Sequence, residues 1–142
     1  MKKIQDHGIC FVCGSSNPKG IGVTWYSDDR NIIFSEFILD LNQQGPPGYA
    51  HGGASAAILD EGMGVALWRA GFNVAVVKLE MNFKQPLPLG QSVKLEARFT
   101  QRIGRKIYAS GEIRLPDGMI AVCATGIYIE APQMFESNRY RD

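Results

Sequence analysis

The sequence is short of most things that mark out a specialised chain. It has only three cysteines, Cys10, Cys13 and Cys123, an odd number that excludes a disulfide framework closed within one chain and suits a reducing compartment. No apolar run approaches the length of a membrane span, and the start MKKIQDHGICFVCG lacks the apolar stretch of a secretory signal. A cytoplasmic protein with no membrane partner is therefore expected. Neither sign of charge is in excess: 15 Lys and Arg stand against 14 Asp and Glu, which gives no basic stripe of the kind nucleic-acid binding needs. Histidine is rare as well, with only His7 and His51 available as imidazole bases.

What is there fits one globular domain. A chain of 142 residues can bury a single core but not two ordinary ones. Residues 1–19 read as an irregular N-terminal segment and residues 133–142 as a polar tail. Residues 21–26 and 32–39 are rich in β-branched and aromatic side chains around Ser27-Asp28-Asp29, which predicts a hairpin. Residues 54–69 hold no proline and carry apolar side chains all round, which predicts a buried helix. In residues 77–84 the apolar Val77, Leu79, Met81 and Phe83 alternate with polar residues, the period of a strand with one covered face. The alternation returns at Val93, Leu95, Ala97 and Phe99, and residues 106–115 and 119–129 follow as strands around the turn Pro116-Asp117-Gly118. Together these elements imply an α+β domain in which a mostly antiparallel sheet wraps one long helix.

One stretch of that helix demands a use. GPPGYAHGGASAAILDEGMG, residues 45–64, puts Asp60 and Glu61 inside an apolar helix, where burying a lone carboxylate costs several kcal/mol, roughly. Such an acid either titrates near neutrality as a base, or pairs with a cation or backbone N–H groups elsewhere in the fold. At the helix start, Gly52 and Gly53 either serve as close-packing cap residues or offer bare N–H groups to a developing negative charge, with His51 shaping the turn. Asp60 lies seven residues beyond Gly53, so their backbones are roughly 10 Å apart along the axis. One chain cannot place both on one carbonyl. If both act on the same substrate, they come from different subunits about a two-fold axis, and a homodimer is expected.

The motifs HGGASAAILDEGMG, GPPGYAHGG, VKLEMNFKQPLPLG and CFVCGSSNPKGIGV together resemble the hotdog-fold acyl-CoA thioesterases of the phenylacetate-pathway type, over about residues 10–129. The resemblance implies a hotdog fold, dimers joined sheet edge to sheet edge and often paired into tetramers, and an acyl-CoA substrate with no separate cofactor. It makes Asp60 the general base or nucleophile, with Glu61 as the neighbouring candidate, and the Gly52 N–H the group that polarises the thioester carbonyl. Gly53, Asn42 and Gln44, with Val76 and Lys78 on the following strand, are implied near the substrate. Val76 stands where relatives often carry Thr, and Gly45 where many carry Asn. Arg102, Arg105 and Lys106 around Gly104 offer cations to the phosphates of coenzyme A, or form a solvated hairpin end. The alternative function on the same fold is a non-catalytic acyl-CoA binding module. His7-x2-Cys10-x2-Cys13 has the look of a metal knuckle, but structural zinc needs four ligands and Cys123 lies on a separate strand. No metal is therefore expected, and the motif's place in the family pattern makes it a turn that packs the N-terminal segment on the sheet.

Overall fold

The helix expected over residues 54–69 runs from Gly52 to Arg69 (α1) in the computed structural model, which describes residues 1–136. Seven strands surround it: β1 (Lys2–Lys3), β2 (Tyr26–Ser27), β3 (Ile33–Ile38), β4 (Val74–Phe83), β5 (Ser92–Ile103), β6 (Lys106–Arg114) and β7 (Ile120–Glu130). All pair antiparallel in one sheet of order β1-β2-β3-β5-β6-β7-β4. The tight turns at Gly104 and Gly118, both with positive φ, return β5 onto β6 and β6 onto β7. Of the expected polar tail, Pro132–Phe135 form a short 3-10 turn, and residues 137–142 lie outside the described residues.

α1 lies across one face of the sheet, chiefly against β5, β6 and β4. Ile58, Leu59, Met63 and Leu67 are fully buried there with Trp25, Ile33, Leu95, Ile107 and Ile113. Emptying one such site by a Leu-to-Ala change costs about 2–5 kcal/mol. Gly62 explains how the helix comes so close. A Cβ at that position would stand 3.1 Å from the Trp25 ring and 3.2 Å from Leu95, so the indole rests directly on the helix backbone. The outer exception is Trp68, which is exposed.

Two sequence expectations are corrected. Residues 21–26 do not form a full hairpin arm, because the N–H groups of Ile21, Gly22 and Val23 are taken by the carbonyls of Phe11 and Val12 in the cysteine loop. Only Tyr26 and Ser27 remain to pair with β3, and on their other side they hold β1, which lies in the segment expected to be irregular. β4 keeps the covered face that its alternation predicts only at Leu79 and Met81, which pack against the core. Leu79 and Met81 are half-buried, while Val76, Val77 and Phe83 are exposed. The physical reason is its place at the end of the sheet, where among the described residues it pairs only with β7. A bulge at Val77 interrupts its register.

Candidate active site

The helix start is built by one side chain. His51, extended at φ −63° and ψ 137°, caps α1 by accepting the Gly53 N–H on Nδ1 at 2.8 Å. A ring nitrogen that accepts carries no proton, so the imidazole proton sits on Nε2. The His51 carbonyl takes the Ala54 N–H at 2.9 Å. Among the described residues no acceptor takes the Gly52 N–H. The two glycines expected to offer N–H groups together are thus separated: the Gly53 donor is spent on the cap, and the Gly52 donor remains for a ligand at the positive end of the helix. The Phe83 ring stands 3.4 Å from where a Gly52 Cβ would be, so a bare backbone corner lies beneath an aromatic wall.

Two turns further on, Asp60 projects toward β7. The buried Tyr128 hydroxyl donates to Asp60 Oδ1 at 2.9 Å and lies 3.2 Å from its backbone carbonyl. Burial pushes the Asp60 carboxyl above the ordinary aspartate value, the Tyr128 hydrogen bond opposes that shift, and the Glu61 charge adds to it. Burial, with the Asp60 charge beside it, also drives the Tyr128 hydroxyl far up, so it stays a donor. Tyr128 itself needs Gly126. A Cβ there would stand 2.5 Å from the Tyr128 ring.

Asp60 and Tyr128 open onto a cavity of about 640 Å³ whose walls include Val65, Trp68, Phe72 and Val76. The lining is apolar around a few polar groups, as in small-molecule sites. Gly52 and His51 are not part of it. The acid and the free N–H therefore face different spaces, as the axial distance between them requires.

Glu61 enters the same cavity but turns the other way. Its Oε2 lies 3.1 Å from Cys10 Sγ and 3.4 Å from His7 Nδ1, and His7 Nδ1 lies 3.4 Å from Cys13 Sγ. Burial pushes the Glu61 carboxyl up, but hydrogen bonds from His7, Cys13 and Cys10 outweigh it and hold it below the usual glutamate value. Cys13 and His7 lower the Cys10 thiol to about 5 against the effect of burial. Despite burial, contacts with Cys10 and Glu61 raise His7 to about 9. Of the two adjacent acids, Asp60 is the one poised to hold and release a proton.

The remaining predicted residues fall into three groups. Val76 lines the cavity, and Lys78 is exposed on β4 just past the bulge. Asn42 and Gln44 are exposed; the Asn42 N–H caps on Asp40, and Gln44 Oε1 accepts the Gly48 N–H at 3.0 Å. Position 45 itself has no room for a side chain, because Gly45 packs against His51 so closely that a Cβ would come within 2.8 Å of its Cα. Arg102 is not an unengaged cation: it pairs with Glu130 at 3.2 Å, donates to the Gly104 carbonyl and lies 5.5 Å over the Phe72 ring. Arg105 and Lys106 stand exposed at the hairpin turn. Tyr128 and Gly126 were not visible as site residues in the sequence, since a lone Tyr in a strand reads as core.

Residues 47–122, which carry the helix start, the acid and β4, match the profile of the thioesterase superfamily. The chain belongs to this superfamily. Acyl-coenzyme A thioesterase THEM4 of Xenopus laevis is 35% identical over 89 residues, covering 61% of this chain and 40% of that protein. The Rattus norvegicus THEM4 is 33% identical over 116 residues, covering 79% of this chain and 50% of that protein. The chain thus spans about half the length of the curated relatives it matches. A solved thioesterase superfamily protein superposes with a TM-score of 0.82 at 31% identity, over 84% of this chain and 62% of the other. The E. coli PaaI protein from the phenylacetic acid degradation operon shares the fold, with a TM-score of 0.71 at 14% identity over 78% of this chain and 80% of that one. The architecture is the hotdog fold, one helix in the curve of an antiparallel sheet.

Proposed function

We propose that this protein is an acyl-CoA thioesterase that works as a homodimer. The observation that carries this reading is a pair of groups on α1: a half-buried Asp60 with a raised proton affinity, held by Tyr128, and a Gly52 N–H without an acceptor among the described residues. A thioester hydrolase needs one group of each kind. Asp60 takes a proton from water as the water oxygen attacks the carbonyl carbon. The Gly52 N–H receives the charge that develops on the carbonyl oxygen. The tetrahedral centre then collapses, the C–S bond breaks, and coenzyme A leaves as thiolate to be reprotonated.

The edge strand supports an assembly that joins the two groups. A two-fold axis pairs β4 with itself antiparallel, which sets the Phe83 end of one strand beside the Val74 end of the other. Phe83 packs at Gly52, and Val74 and Val76 line the cavity of Asp60. One subunit's N–H then meets the other subunit's acid. Arg105 and Lys106, exposed at the hairpin turn, are the cations this reading offers to the phosphates of coenzyme A. A purely binding module has no need of an acid with a raised proton affinity at position 60, so the catalytic reading is preferred.

The deciding experiment assays the purified chain against a panel of acyl-CoAs with a thiol reagent, alongside sedimentation. Hydrolysis by a dimer is expected. Binding without turnover makes the chain a binding module, and an active monomer refutes the shared site. Within the same assay, Tyr128→Phe is expected to lower kcat at neutral pH by about 10–100-fold, the worth of a hydrogen bond to a charged group. It also moves the acid limb of the rate profile to higher pH, because the lost donor was holding the Asp60 proton affinity down. A profile that stays in place would show that Tyr128 does not tune Asp60.

A further inference from the structure

The catalytic reading leaves unused the cluster that holds Glu61 at one wall of the cavity. We propose that His7, Cys10, Cys13 and Glu61 form a binding site for one zinc-class divalent cation, which pins the N-terminal loop to the central helix.

The ligand atoms of the four residues all lie within 4.8 Å of one another. The resolved edges, 3.1 Å from Cys10 Sγ to Glu61 Oε2, 3.4 Å from Cys13 Sγ to His7 Nδ1 and 3.4 Å from His7 Nδ1 to Glu61 Oε2, are close to those of a small tetrahedron. With usual zinc bond lengths to sulfur, nitrogen and oxygen, such edges run to roughly 3.3–3.8 Å. Two thiols, an imidazole and one carboxylate are a borderline-soft donor set, which suits zinc and disfavours magnesium or calcium. The sequence argues against a metal because only three ligands stand together along the chain; the fold brings the fourth from α1, 51 residues beyond Cys10.

The loop is built as a ligand loop. The Val12 N–H points at Cys10 Sγ from 3.4 Å and the Gly14 N–H bonds the Cys10 carbonyl at 2.9 Å, so the backbone wraps the sulfur. Gly14 cannot be replaced without moving that loop, since a Cβ would stand 2.4 Å from both Cys10 N and Gly8 O. Upstream, Asp6 Oδ1 accepts the Gly8 N–H at 2.8 Å and sets the turn that presents His7. Cys13 is buried and the other three ligands are half-buried, the usual state of a closed structural site rather than an open catalytic one. A bound cation also takes Glu61 out of the chemistry and leaves Asp60 as the single base, although the metal site does not depend on the thioesterase reading.

The test uses the full chain, reduced, stripped with a chelator and returned to zinc chloride. One zinc per chain is expected to survive desalting, and cobalt in its place should give thiolate-to-cobalt absorption. At free zinc about 100 times its dissociation constant, the Tm should rise by about 6–10 °C. Cys10→Ser and Cys13→Ser should abolish retention, and Glu61→Gln should weaken it by at least about tenfold, since losing even an outer-shell partner costs that much, while Asp60→Asn retains the metal. Should the cysteine variants fail to fold, alkylation of the wild type decides: zinc is expected to protect Cys10 and Cys13 but not Cys123. Reduced protein that retains no zinc, shows no cobalt–thiolate band and gains no protection overturns the proposal, as does retention that survives loss of both cysteines.

Discussion

Asp60→Asn is expected to lower kcat by about 10²–10⁴-fold, the range for losing a positioned general base, and to raise the Tm at neutral pH. Both effects have one origin. Burial lifts the folded-state proton affinity of Asp60 above its ordinary value, so the folded protein holds that proton more tightly than the unfolded chain. Stability tied to this group is present at acid pH and is lost as pH climbs from the ordinary aspartate range through the raised folded value. Asparagine carries no charge to desolvate and can still accept from Tyr128. The variant and wild type should thus melt alike in acid and diverge as pH rises, with the variant the more stable. The wild-type rate runs the opposite way, growing as the same proton is lost. Thermal melts across pH beside kcat/KM profiles check both signs. Wild-type turnover in the variant would remove Asp60 from the mechanism.

Gly52→Pro is expected to lower kcat by about 10²–10³-fold, the cost of losing one oxyanion donor, with little loss of helix. Proline is well tolerated at the first helical position because its missing N–H is one the helix does not use. The residue before a proline must be extended, and His51 already is, at φ −63° and ψ 137°. The Gly53 donor to His51 is untouched. The Cβ that the substitution adds meets Phe83 at 3.4 Å, about ordinary contact distance. The substitution thus deletes a hydrogen-bond donor at a place where the backbone otherwise accepts it. Circular dichroism should show an unchanged helix beside the loss in kcat, and a variant with full activity would assign the oxyanion to another group.

Much of this site is legible in the linear chain because its signals are local. A helix that opens with two glycines after a histidine and carries an acid two turns on is written in consecutive residues, and the rise per residue is enough to keep the two groups of one chain off a single carbonyl. Tyr128 is not legible, because its partner lies 68 residues away and its strand pattern is that of any core tyrosine. Glu61 has the same difficulty, since nothing beside it in the chain foretells His7, Cys10 and Cys13. Residues 21–26 mislead for another reason. Their side chains favour a strand, but the cysteine loop claims their N–H groups first, and backbone pairing overrides propensity.

β4 carries a further consequence. An end strand of ten residues with Val76, Val77 and Phe83 uncovered is a template on which any extended segment can grow, and most proteins shield such edges with lysine, proline or a covering loop. Among the described residues, protection comes from little more than Lys78, Glu80 and the bulge at Val77. If the proposed pairing of β4 with a second copy closes this edge, the chain is at its most aggregation-prone before that pairing, and crowding by misfolded neighbours threatens solubility before it threatens the fold.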